Sequence, residues 1–138
     1  MELHGLRGSA GIEPVGGDEF ASVSVEVVPS DTFHIKCGLE APIEVEAVDG
    51  TVNPAGIEIA CMSGARYARH VLPLAESTVV IRGAVGRIAL ANSEGFSIAT
   101  VLAIGRALGR ENQLPAAVFQ GAAASWRPVG VPSDPPTP

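Results

Sequence analysis

The stretch "NSEGFSIATVLAIGRALGREN" spans residues 92–112. A small polar opening leads into an uncharged run from Gly95 to Gly105, and then into an Arg-rich end. Ser93 is placed to cap a helix, and Glu94 suits its positive end. The spacing predicts a helix over 94–110, with Ile98, Val101, Leu102, Gly105, Leu108 and Gly109 on one stripe. A two-layer fold buries that stripe on a sheet. The side carrying Ala103 and Ala107 is nearly free of charge, where a solvated face would show Lys and Glu. It is expected to meet another chain, with Ala and Gly allowing close helix approach.

Working outward, residues 78–91, TVVIRGAVGRIALA, read as a hairpin: Thr78 to Arg82, a Gly83–Gly86 loop, then Arg87 to Ala91. Before it lies another predicted helix. Asn53 is a good N-cap and Pro54 suits the first position, where its missing N–H costs nothing. Ile57, Ala60, Cys61, Gly64, Ala68 and Val71 form its buried stripe, and Pro73 stops it. Ile59 and Met62 lie off that stripe and extend the side expected to face a partner.

Three strands come earlier, Ser22 to Val28, Thr32 to Leu39 and Ile43 to Val48, each alternating apolar with polar. Pro29-Ser30-Asp31 and Glu40-Ala41-Pro42 supply turns, so the unit reads as an antiparallel meander. A closing strand is expected over Leu114 to Gln120. The fold class is therefore α+β, an antiparallel sheet with two helices on one face. Its order from about residue 43 is the split βαβ, ferredoxin-like β-α-β-β-α-β, preceded by two extra antiparallel strands. Residues 1–20, Gly-rich and without periodicity, read as a flexible arm. Residues 21–127 form one domain, and 128–138 a Pro-rich tail.

Composition narrows the function. The chain has 138 residues, 46% hydrophobic and 17% charged, below the roughly 25% charge usual in soluble domains. Fewer charges than usual must cover the outside, which favours contact with other protein chains. The net charge is −6, with one Lys and eight Arg, so no basic footprint for nucleic acid is present. Arg used in preference to Lys, with much Ala, Gly and Val, suggests a GC-rich bacterial genome. The opening residues have no apolar secretory core, and the uncharged run 95–105 is too short for a membrane span. The chain is read as cytoplasmic, with two free thiols.

Two family resemblances attach to these segments. TVVIRGAVGRIALA resembles a hairpin segment of bacterial microcompartment shell proteins, which implies an assembling tile. NPAG (53–56) and SIATVLAIGRALG (97–109) are similar to the helix starts of the phosphocarrier HPr. The phosphorylated His of that family falls near Glu58, so the resemblance implies no phosphohistidine here.

Candidate site residues are few. His34, Cys61 and Glu58 are the weak catalytic candidates. In the meander His34 is expected between Glu26 and Glu46, as part of a charge-alternating wet face. Cys61 sits mid-stripe, where a small core residue belongs. Arg82 and Arg87 flank the Gly83–Gly86 loop and form the candidate anion site. Trp126, beside the tail, is an anchor for its own domain or a partner. His34 and Cys37 point to opposite faces of a strand, and Cys61 and His70 to opposite sides of a helix, so no metal site is expected. No cofactor is implied. The favoured function is a non-enzymatic assembly subunit forming a homo-oligomer or joining other protein subunits. The alternatives are a small regulatory, anion-binding module and an enzyme whose site forms at a subunit interface.

Overall fold

The computed structural model describes residues 5–15, 19–37, 43–89, 92–121 and 125–129. The fold is α+β: a six-stranded sheet with two helices on one side. The central strand is β5 (Ser77–Ile88). One edge of β5 pairs antiparallel with β2 (Phe20–Pro29). The other edge is shared, end to end, by β3 (His34–Cys37) and β4 (Glu44–Ala47), both parallel to β5. Beyond β2 lie β1 (Leu6–Pro14) and then β6 (Trp126–Pro128), both antiparallel to their neighbours.

The first surprise is the pairing of β3 and β4. The meander places them beside β2, yet the long strand β5 lies between. The sequence Thr78-Val79-Val80-Ile81 is apolar enough for a strand with neighbours on both edges, and two such edges bury more than a local hairpin does. The expected hairpin over 78–91 is likewise a single strand up to Ile88. Its glycines are packing positions, not a turn. A side chain on Gly86 would come within 2.6 Å of the Phe20 carbonyl and 2.9 Å of the Phe96 ring. From residue 43 the order is therefore strand, helix, strand, helix, strand.

The expected N-terminal arm contributes β1. Leu6 to Ile12 pair with Val27 back to Ala21, and Ala10 and Ile12 are buried. Its alternation of Arg7, Ser9 and Glu13 with Ala10 and Ile12 is interrupted in the sequence by Gly8 and Gly11. Residues 114–120 form no regular strand. A 3-10 turn, Ala116–Phe119, occupies most of that region behind Pro115, and another, Glu111–Gln113, lies just before it. The free edge of β1 is taken instead by β6, so Pro128 belongs to the sheet; residues 130–138 of the expected tail lie outside the described residues. Pro128 is tolerated because β6 is an edge strand.

Helix α1 (Pro54–Val71) forms as its sequence predicts. The Asn53 side chain accepts from the Ala55 N–H at 3.0 Å, and Ile57, Cys61, Gly64 and Ala68 are buried. Helix α2 (Glu94–Ala107) ends earlier than expected, its carbonyls capped through Leu108 and Gly109 at φ +67°, where glycine is favoured. Gly95, Phe96 and every residue from Ile98 to Gly105 are buried.

Helix α2 is buried by its own chain. Gly8 of β1 brings the strand against the Ala103 carbonyl and Ala107. On another side Gly64 of α1 abuts the Ser97 carbonyl, and the Ser97 hydroxyl donates to the Ala60 carbonyl at 2.6 Å. Trp126 covers Gly95, while Leu114 and Glu111 cover Gly105. The expected interface at Ala103 is overturned: Ala103 has 0% exposure within the single chain. An uncharged side of a helix signals burial, and here three elements supply it. No described helix is long and apolar enough to cross a membrane.

Candidate functional site

The sheet face away from the helices is polar. On β2, Ser22, Ser24 and Glu26 alternate with buried Ala21, Val23, Val25 and Val27. On β1, Arg7 and Ser9 precede buried Ala10 and Ile12. The wet face predicted from the Ser/Glu alternation therefore exists, but its cross-strand partners differ. His34 does not lie between Glu26 and Glu46. It is exposed on β3, with Thr32 Oγ1 at 2.9 Å from its Nε2, and β5 separates it from β2. Glu26 instead meets Arg82, and Glu46 lies 3.8 Å from Arg87.

The geometry around Arg82 follows from a β-bulge. Ser24 pairs with Gly83 and Val25 with Ile81, so Arg82 is the extra residue on β5. Bulges re-aim a side chain and interrupt the ladder locally. Arg82 Nη1 donates to Glu26 Oε1 at 2.7 Å, and Arg7 Nε lies 3.8 Å from the same oxygen. The Arg82 and Glu26 side chains are 17% and 16% exposed, while Arg7 is 64% exposed. A cavity of about 510 Å³ opens here, lined by Arg7, Ser9, Ser22, Ser24, Arg82 and Val85. Two guanidiniums and three hydroxyls thus converge on one concave patch of an acidic protein.

The anion site expected at a hairpin tip is corrected accordingly. No tip exists at 83–86, and Arg87 does not line the cavity. Arg82 stays, joined by Arg7 from the segment read as an arm and by serines read only as strand exterior. The strand alternation SVSVEV carried the signal for Ser22 and Ser24. Nothing in the sequence linked them to Arg7, which arrives through long-range pairing of β1 with β2.

The catalytic candidates do not come together as a nucleophile with its base. Cys61 is buried, and its thiol is pushed up to about 11, chiefly by burial; a hydrogen bond with Thr100 opposes this, while Cys37 and Glu58 add to it. A nucleophilic cysteine needs the opposite shift. Cys37 is exposed, its thiol raised by partial burial and then by Glu58. Glu58 is half-buried on α1. Among the described residues, no three His, Cys, Asp or Glu side chains converge as a metal site requires. Trp126 docks on its own domain, 3% exposed, its indole N–H donating to Glu94 Oε2 at 2.9 Å. Of the other expected interface residues, Ala107 and Met62 are half-buried and Ile59 is exposed.

Fold and site together define an α+β domain with an open, polar sheet face. No protein-family model matches the chain, and no curated protein does so either. Among solved structures it is similar to the crystal structure of ttk003000868 from Thermus thermophilus, at 15% identity and a TM-score of 0.48. That similarity covers 77% of this chain and 16% of the other, so this chain spans about a sixth of that protein.

Proposed function

We propose that this chain is a small, non-enzymatic binding module that holds an anion on the open face of its sheet. The observation that carries the reading is the convergence of Arg7, Arg82, Ser9, Ser22 and Ser24 in one cavity at the bulge. Guanidiniums recognise carboxylate and phosphate through charge-assisted hydrogen bonds, and hydroxyls complete the shell. The cavity volume falls within the range of small-molecule sites. The test is an amide-resolved NMR titration with inorganic phosphate. Signals of Ser22, Ser24 and Gly83 should shift together, and Arg82→Gln should weaken binding by about tenfold. Shifts absent from these strands would overturn the reading.

A second reading, the assembly subunit, is supported by the outer side of α1. Ile59 is 64% and Tyr67 41% exposed there, and half-buried Met62 lies about one turn from Ile59. Partners would be further copies of this chain or other protein subunits. The measurement is mass in solution by light scattering. A monomer at high micromolar concentration removes self-assembly from this reading and leaves the anion site untouched. A cytoplasmic setting accords with the two free thiols, Cys37 and Cys61, which a reducing compartment preserves.

A further inference from the structure

The two arginines that line the cavity already share a carboxylate of the chain itself. Glu26 Oε1 accepts from Arg82 at 2.7 Å and lies 3.8 Å from the Arg7 guanidinium. We propose that Glu26 is a built-in competitor, and that the cavity consequently selects monoesters of phosphate with hydroxylated bodies over carboxylates and nucleotides. The proposal rests on the anion-binding reading above.

The chemistry is an exchange at the guanidiniums. A ligand carboxylate that displaces Glu26 replaces one singly charged, two-oxygen acceptor by another. It makes the same bond and also loses its translational freedom, so little affinity results. A phosphate monoester carries a charge of roughly −1.5 to −2 at pH 7 and three terminal acceptor oxygens. It can bridge Arg82 and Arg7 while accepting from the Ser9, Ser22 and Ser24 hydroxyls, none of which Glu26 needs to surrender. Two arginines and one glutamate give a local charge of +1, which favours the more highly charged anion. The cavity of about 510 Å³ leaves room beyond the phosphate for an organic body. Among the described residues its lining beyond the arginines is serine, glycine and valine, with no aromatic ring on which a nucleobase would stack. A polyol or sugar suits that lining.

The experiment is calorimetric titration of the wild type and of Glu26→Gln with glucose 6-phosphate, AMP and gluconate, a monocarboxylate on a similar polyol body, circular dichroism confirming the fold of the variant. In the wild type, glucose 6-phosphate should bind at least about tenfold more tightly than gluconate, and more tightly than AMP. In Glu26→Gln, gluconate should gain about tenfold and the preference should shrink. Gluconate binding the wild type as tightly as glucose 6-phosphate, AMP binding as tightly as the sugar phosphate or more so, or an unchanged preference in the folded variant overturns the proposal. The first two outcomes are decided in the wild type and stand even if the variant fails to fold. If anions bind without this preference, the inference alone falls. If neither these ligands nor inorganic phosphate bind, the anion-binding reading falls with it.

Discussion

Cys61 shows how a single side chain reports its surroundings. It is 1% exposed, and burial holds its thiol at about 11, above the reference value of 9.0. Below pH 9 both folded and unfolded chains keep this proton, and its contribution to stability is fully present. Between pH 9 and 11 the unfolded chain releases the proton first, so the folded state binds more protons and stability falls as pH rises. Denaturant titrations across that window should show a steeper loss for the wild type than for Cys61→Ala. Equal slopes would mean that the thiol is less enclosed than its position implies. In the native protein at pH 8, an alkylating reagent should label Cys37 and spare Cys61, since Cys37 is exposed.

At the scale of elements, the glycines set how closely the layers meet. A mid-helix glycine costs roughly 1 kcal/mol relative to alanine by propensity. On propensity alone Gly64→Ala would therefore stabilise α1. Its new methyl, however, would run into the Ser97 backbone of α2 at a separation real side chains do not reach. Gly64→Ala is expected to destabilise the fold by roughly 1–3 kcal/mol through overpacking, a change read from the melting temperature. A rise in that temperature would show that the two helices can part without cost. Gly105 is tight in a milder way. A methyl there would sit 3.1 Å from the end of the Leu114 side chain and 3.2 Å from the Glu111 backbone. Gly105→Leu should destabilise by a similar roughly 1–3 kcal/mol, while Gly105→Ala should stay close to neutral because the Leu114 tip can move.

For the whole molecule, the burial of α2 accounts for much of the low charge content. A helix enclosed by a sheet, a second helix, Glu111, Leu114 and Trp126 uses apolar residues all round, with no second chain needed. Ala103→Glu is therefore expected to unfold the protein, with loss of near-ultraviolet circular dichroism and a cost of several kcal/mol for an unpaired buried charge. Ile59→Glu, at an exposed site on α1, should leave the fold intact and change only the mass of any assembly built on that face. If Ala103→Glu instead gave a folded, smaller species, the single-chain burial of α2 would be wrong.

Local patterns were legible in the residues themselves. Asn53-Pro54 started α1, Pro73 lay just beyond its end, and the alternation of Ser and Glu with Val marked β2 as a strand with one wet face. These depend on chemistry within a few residues, on caps and on the two periodicities of 3.6 and 2. Partnership across the chain was not legible. The pairing of β3 and β4 with β5, the recruitment of Leu6–Pro14 as β1 and the meeting of Arg7 with Arg82 all join residues far apart in sequence. Alternation tells a strand which face is wet but not which strand lies beside it. Only the closing of one core around α2 decided that, because it fixes which edges are left to pair and so which polar side chains share the outer face.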